Sequence, residues 1–389
     1  MDFQALCDLM DRFTAWRIPG NSVCICKDGM EIFSYHSGFA DVENQVPADP
    51  DRVVNIYSCS KIATVTAALQ LYEKGWFLLD DPLYAFLPEY KQMYLTAADG
   101  VKEARTPITL RHLFTMTSGL TYNMNTPAFE RARELTGGKM DTVTVARCIA
   151  QDPLSFEPGS AWQYSLSHDV LAAVVEVISG QKFRDYVKTH IFDPLEMETA
   201  CYHNGQIQDR MAQQYRFVDG NDTDPIACQS GAAGGGIGGE IRLETKANGF
   251  VLGTEYDSGG AGITVSVRDY AKFCAALANG GTGGNGAKIL SSGTVELLSA
   301  NQLNEEQMRN FNWAQFKGYG YGLGVRTLIN KAAGSVGNLR EFGWSGAAGA
   351  VAVMDTKEHI AKFYAHHMLN NQEEFCMPRL INTLYGCLK

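Results

Sequence analysis

NIYSCSKIATVTAALQLYEKG, residues 55–75, places Ser58, Ser60 and Lys61 at the mouth of an apolar run of helical period. Ile62, Val65, Leu69, Tyr72 and Trp76 recur at the spacing of one helical face, which predicts a helix with a single buried stripe. Ser58 would open that helix, and Lys61, one turn on, would lie on the same side. Two readings fit. In the first, Ser58 is an N-cap and Lys61 is solvated. In the second, Ser58 sits in the positive field of the helix N-terminus, where a backbone N–H can bind an oxyanion. A desolvated Lys61 would then lose its charge and take the serine proton. The Ser-x-x-Lys spacing occurs again at Ser179 and Lys182, but Gly180 interrupts it, so that copy reads as a helix end followed by a new start.

The chain around this segment has 389 residues, 45% hydrophobic and 20% charged, a composition suited to a large core and more than one structural unit. Its formal net charge of −10, without a basic patch, argues against nucleic-acid partners and against anionic membrane surfaces. The first residues lack the basic start and apolar core of an export signal, and no stretch has bilayer length, so a cytoplasmic location is expected. Ten scattered cysteines then read as free thiols. His366 and His367 are neighbours whose side chains point apart, and no metal site is expected.

Two segments read as hairpins. SVCICKDGMEIFSYHSGFADVEN turns at Lys27-Asp28-Gly29, and AAGAVAVMDTKEHIAKFYAHH turns at Asp355–Lys357. Helical patterns flank both, so the two chain ends are expected to meet in one sheet with helices packed on it, an α/β (α+β) fold. The middle is mainly helical, with one helix capped by Thr109 and running toward Gly119, and another closed by Gly180. The expected division is a sheet domain from 1–80 and 201–389, a helical insert from 81–200, and a site between them. Gly234, Gly236 and Gly239 form G-x-G-x-x-G, but polar sequence precedes them and no helix pattern starts on them, so they read as a loop and not as a dinucleotide site.

Further segments extend the reading of Ser58 and Lys61. FEPGSAWQYSLSHDVLAAVVEVISG places Tyr164 directly before a helix, YGYGLGV at 319–325 is a glycine-punctuated strand, and EFGWSGAAGAVAVMD sets Trp344-Ser345-Gly346 on a strand rich in small residues. With LRHLFTMTSGL, HIFDPLEMETA and GGAGITVSVRDYAKFCAALANGG, this order resembles the serine β-lactamase and penicillin-binding superfamily. Within it the class C-like branch is nearest, with the family VIII carboxylesterases and related acyltransferases. The resemblance implies an antiparallel sheet flanked by helices, with Ser58 as acylated nucleophile, Lys61 as its lysine and Tyr164 as the motif tyrosine. It further implies Trp344, Ser345 and Gly346 as the substrate-binding third motif, and the N–H groups of Ser58 and Ala347 as the oxyanion hole.

Two departures qualify that implication. Leu166 stands where the family has asparagine, and Trp344 where it has lysine, so polar recognition gives way to apolar surface. Arg340, an even spacing from Trp344 along the strand, is the residue that would restore a cation. The expected function is hydrolysis of small carboxylic esters, without a cofactor, with a small-molecule ester or acyl donor as the partner. Acyl transfer to an alcohol is the first alternative, β-lactamase or D-amino-acid peptidase activity the next, and a non-catalytic acyl-binding sensor the one from another class. Ser60, Cys59, His112, Trp313, Tyr319 and Tyr321 read as structural or core residues, and Asp169 as a stabiliser of the first turn of its helix.

Overall fold

The computed structural model describes residues 1–98, 100–205, 207–218 and 240–388. The G-x-G-x-x-G stretch lies outside them. The chain ends build one eight-stranded sheet from β1 (Gly20–Lys27), β2 (Met30–Asp41), β3 (Val46–Pro47), β4 (Tyr319–Tyr321), β5 (Arg326–Leu328), β6 (Phe342–Ser345), β7 (Val351–Asp355) and β8 (Ile360–Ala365). Their spatial order is β4-β5-β6-β7-β8-β1-β2-β3, and every neighbouring pair is antiparallel. The two ends meet where β1 pairs with β8, in register from Ser22↔Ala365 to Lys27↔Ile360. The turn joining β1 to β2 has positive φ at Asp28 (52°) and Gly29 (82°), the conformation that suits Asp-Gly and matches the strand twist.

Alternation along β8 decides what covers each face. Tyr364 points toward α1 (Gln4–Ala15), where it meets Phe13 edge-on at 6.3 Å, and Phe13 also meets Phe375 from the C-terminal helix Glu373–Cys387. Phe363 points the other way, onto Tyr270 of the helix Val267–Ala278, with centroids 4.5 Å apart. Lys362 shares the Tyr364 side.

The helix that follows Ser58, here α2 (Ser60–Glu73), is buried on every side from Ser60 to Leu71. The expected single stripe is therefore too narrow. The helix packs against α3 (Ser167–Ser179) and the short helix Phe183–Val187, and a helix covered all round needs no polar face. Its hydroxyls are absorbed by carbonyls, Thr66 donating to Ile62 O at 2.8 Å and Thr64 to Gly259 O at 2.7 Å. Trp76 falls outside the stripe altogether, exposed beyond a helix that stops at Glu73 before the left-handed Gly75.

From 81 to 200 the described elements are mainly helical, with one antiparallel hairpin, Tyr94–Ala97 with Gly100–Glu103, that the sequence pattern did not reveal. Thr109 caps its helix, which ends at Phe114 and not at Gly119, because Met116 already has a φ of 57°. Gly180 closes α3 in the left-handed region at a φ of 67°. Among the described residues no helix is long and apolar enough to cross a membrane, and none of the cysteines pairs with another.

Candidate active site

The short strand Val53–Asn55 pairs with Thr264–Ser266 and delivers the chain to Ser58. Ser58 sits in a single 3-10 turn, Tyr57–Cys59, and α2 begins only at Ser60. Neither turn nor helix has a side-chain cap at its start, so the N-cap reading of Ser58 is set aside. Its hydroxyl, half-buried, faces Lys61 Nζ at 3.4 Å.

Lys61 has no exposed surface. Its ammonium donates to Gly260 O at 2.8 Å, to Tyr122 Oη at 3.3 Å and toward Ser58 Oγ, and lies 4.6 Å from the centre of the Tyr164 ring. Burial alone pushes its pKa down, but the oxygens of Tyr122 and Tyr164 and the carboxylate of Asp169 outweigh burial, so the net direction is up. That direction runs against a lysine that has lost its charge. Burial pushes the neighbouring Tyr122 phenol up as well.

The two tyrosines come from separate loops pinned side by side. Gln163 N donates to Met116 O at 2.9 Å and Leu166 N to Thr121 O at 3.2 Å, which draws residues 163–166 against the turn that precedes Tyr122. The rings stack with centroids 5.4 Å apart. Asp169, assigned to helix stabilisation from sequence, is turned inward instead. Its Oδ1 accepts from Tyr256 Oη at 2.9 Å, Ser258 Oγ at 2.8 Å and Gly260 N at 3.3 Å. Gly260 leaves room for this. A Cβ there would lie 2.5 Å from Asp169 Oδ2 and 3.2 Å from Lys61 Nζ.

The third motif divides its work. Trp344 was expected against substrate, yet it is 1% exposed and lies behind Tyr164, stacked at 5.7 Å with its indole N–H directed at Tyr164 Oη at 3.3 Å. Ser345 donates its hydroxyl to Glu373 at the head of the C-terminal helix. Gly346 lies against the nucleophile turn so closely that a Cβ would collide with Ile56 O. That contact leaves Ala347 exposed at the mouth of the site, and no backbone carbonyl among the described residues accepts from the N–H of Ser58 or of Ala347. Arg340 does not enter. Its guanidinium donates to Glu296 O and Ser299 Oγ, and Leu166 is buried at the start of α3.

Half-buried aromatic faces ring the nucleophile. Phe250 meets Tyr122 edge-on at 5.7 Å, and Trp313 meets Tyr164 edge-on at 5.3 Å. Tyr319 and Tyr321 are core residues, as is Cys59. Ser60 accepts from Ile263 N at 3.0 Å and so braces the turn. His112 Nδ1 accepts from Thr109 N at 3.2 Å, and in the second Ser-x-x-Lys copy Lys182 is tied to Glu255 at 2.9 Å. His366 pairs with Tyr364 Oη through Nδ1 and leaves its buried Nε2 without a partner among the described residues, and His367 faces Asn55 N and Gln213 O with its two ring nitrogens.

The sequence matches the family described as Beta-lactamase over residues 6–380. The chain belongs to that family. It is 32% identical to esterase EstB of Burkholderia gladioli over 270 residues, covering 67% of this chain and 66% of that one. It is 26% identical to the lovastatin esterase of Penicillium rubens over 369 residues, 88% of this chain and 87% of the relative. Among solved structures, EstCE1, described as a hydrolase with promiscuous acyltransferase activity, superposes with a TM-score of 0.76 at 25% identity, covering 98% of each chain. The antiparallel sheet flanked by helices is the fold of this Beta-lactamase family.

Proposed function

We propose that the chain is a serine hydrolase that cleaves small, uncharged carboxylic esters through an acyl-enzyme on Ser58. The observation that carries this is the half-exposed Ser58 hydroxyl directed at Lys61, beside two backbone N–H groups that no described carbonyl occupies. The esterase relatives and the EstCE1 likeness support the same chemistry.

Ser58 Oγ attacks the ester carbonyl carbon. Its proton passes into the cluster formed by Lys61, Tyr164 and Tyr122. An ammonium at Lys61 is not itself the acceptor. Its charge stabilises a tyrosine phenolate, the anion whose oxygen takes the proton and becomes a neutral phenol, and Tyr164, backed by the Trp344 N–H, is best placed for that role. The N–H groups of Ser58 and Ala347 hold the tetrahedral oxyanion, each donor typically worth about 3–4 kcal/mol. The carbon–oxygen bond to the alcohol then breaks as the cluster returns a proton to the leaving oxygen. Water repeats the sequence and frees the acid. The chemistry calls for no cofactor.

The preference for uncharged esters rests on side-chain inventory. Tryptophan replaces the motif lysine and Arg340 is held elsewhere, so Lys61 is left as the cation at the nucleophile among the described residues. Initial rates on p-nitrophenyl acetate, butyrate and octanoate, beside a chromogenic cephalosporin, test the proposal. Ester turnover that disappears in Ser58→Ala, with little cephalosporin cleavage, is the expected result. Full ester activity in Ser58→Ala would sink it, and fast cephalosporin cleavage would overturn the substrate class. Acyl transfer is the second reading, supported by EstCE1. It predicts that added short alcohols raise p-nitrophenol release and yield new esters, because an alcohol competes with water for the same acyl-enzyme.

A further inference from the structure

Tyr57, the residue in front of Ser58, has a φ of 45°. A bulky side chain rarely enters that left-handed region, and holding it there costs about 1–3 kcal/mol, so the surroundings must impose it. The main chain on either side is fixed. Ile56 N donates to Ile263 O at 3.2 Å, and Tyr270 Oη donates to Cys59 O at 2.6 Å. These bonds hold the neighbours and leave Tyr57 to its own side chain. Its ring is buried against Ala261 and Ala348 and meets Phe250 edge-on at 6.0 Å. Its hydroxyl donates to Gln214 Oε1 at 2.7 Å, and Gln214 Nε2 donates onward to Thr245 O at 2.8 Å, so both halves of a buried amide are committed. Neither residue has a role in the acyl chemistry, yet the pair ties the nucleophile turn to a different strand, Gln214–Val218.

We propose that the Tyr57–Gln214 hydrogen bond is a clamp that keeps the strained turn in place, so that Ser58 Oγ points at Lys61 and the Ser58 N–H points into the oxyanion site. Tyr57 and Gln214 are thus positioning residues. The inference rests on Ser58 being the nucleophile of the proposed function, and not on which ester it takes. Relaxation of Tyr57 to negative φ swings the peptide that carries the Ser58 N–H. Displacements of that kind, about 1 Å, cost on the order of a hundredfold in rate.

The test is the rate at which a fluorophosphonate labels the full chain, read at Ser58 by peptide mass spectrometry. In that reaction the Ser58 oxygen–phosphorus bond forms, the phosphorus–fluorine bond breaks, and fluoride and a proton leave. Tyr57→Phe, Gln214→Met and the double variant are compared with wild type, alongside Tm and p-nitrophenyl acetate kinetics. Each single variant is expected to label at least about tenfold more slowly, with kcat falling and KM nearly unchanged. Each single change also orphans one buried polar atom and lowers Tm, whereas the double change orphans neither of the paired atoms. The double variant should therefore recover much of the Tm while labelling stays slow. Recovery of labelling together with Tm would assign the pair a merely structural role and overturn the inference, as would single variants that label like wild type. A wild-type chain that leaves Ser58 unlabelled would overturn the proposed function, and this inference with it.

Discussion

Lys61 and Lys362 are both fully buried, and they differ in nearly everything else. Lys61 is surrounded by oxygens, with Gly260 O, Tyr122 Oη and Ser58 Oγ in reach and the Asp169 carboxylate close by, and its pKa moves up. Lys362, on β8, has no hydrogen-bond partner among the described residues. The nearby carboxylate of Glu341 is already engaged by Arg326 at 2.8 Å and by Tyr319 Oη at 2.7 Å. Burial, assisted by the Arg326 charge, pushes Lys362 down to about 7. Depth is the same at the two positions, and the neighbours decide whether the amine keeps its proton. An ammonium that is both buried and charged is costly, and the fold supplies its partners at only one of the two.

The sharpest way to break the comparison is to replace each lysine with methionine. Lys61→Met should lower kcat on p-nitrophenyl esters about a thousandfold, within the range for a positioned proton-transfer group. Activity within tenfold of wild type would remove Lys61 from the mechanism. Gly260→Ala probes what holds Lys61. Its Cβ would intrude between Asp169 and the ammonium, and a loss of about ten- to a hundredfold in kcat at similar Tm is expected. Trp344→Phe keeps an aromatic ring behind Tyr164 and deletes the N–H. Loss of about tenfold in kcat with KM unchanged is expected, and no loss would make the stacking alone sufficient.

Lys362→Met should leave turnover within twofold and change stability instead. The folded pKa lies below the ordinary value of 10.5, so the unfolded chain binds the extra proton between about pH 7 and 10.5. The stability tied to this group is complete above 10.5 and is lost as pH falls to about 7. Denaturant titrations at pH 7 and 9.5 should therefore show the variant gaining on the order of a few kcal/mol over wild type at pH 7, and less at 9.5. A gain independent of pH would mean that Lys362 is charged in the fold.

The sequence grouped Ser58 and Lys61 by a Ser-x-x-Lys spacing at a helix mouth and added Tyr164, directly before α3, by family resemblance, and the structure brings the three side chains together. The meeting of the chain ends was legible too, since each end writes a hairpin whose alternation needs a partner. Tyr122, Gly260 and Gln214 were not. Tyr122 reaches the site because two backbone hydrogen bonds draw its turn against residues 163–166, and nothing local to Tyr122 encodes that. Asp169 was seen but misassigned, because an acidic residue in a first helical turn has an ordinary explanation that sequence cannot separate from an inward one. The surroundings of Lys61 were hidden for the same reason. Its desolvation was inferred from the helix pattern, while the oxygens that reverse its effect arrive from residues 122, 164, 169 and 260.

The contact of Gly346 with Ile56 O sets terms for anyone reshaping this pocket. Where two main chains touch, there is no side chain to trim, and an added one would push the Ala347 amide out of line. The floor of the cleft is therefore a fixed dimension. Room for a bulkier acyl group has to be found in the walls, by shortening Phe250 or Trp313, whose rings stand half-open to solvent.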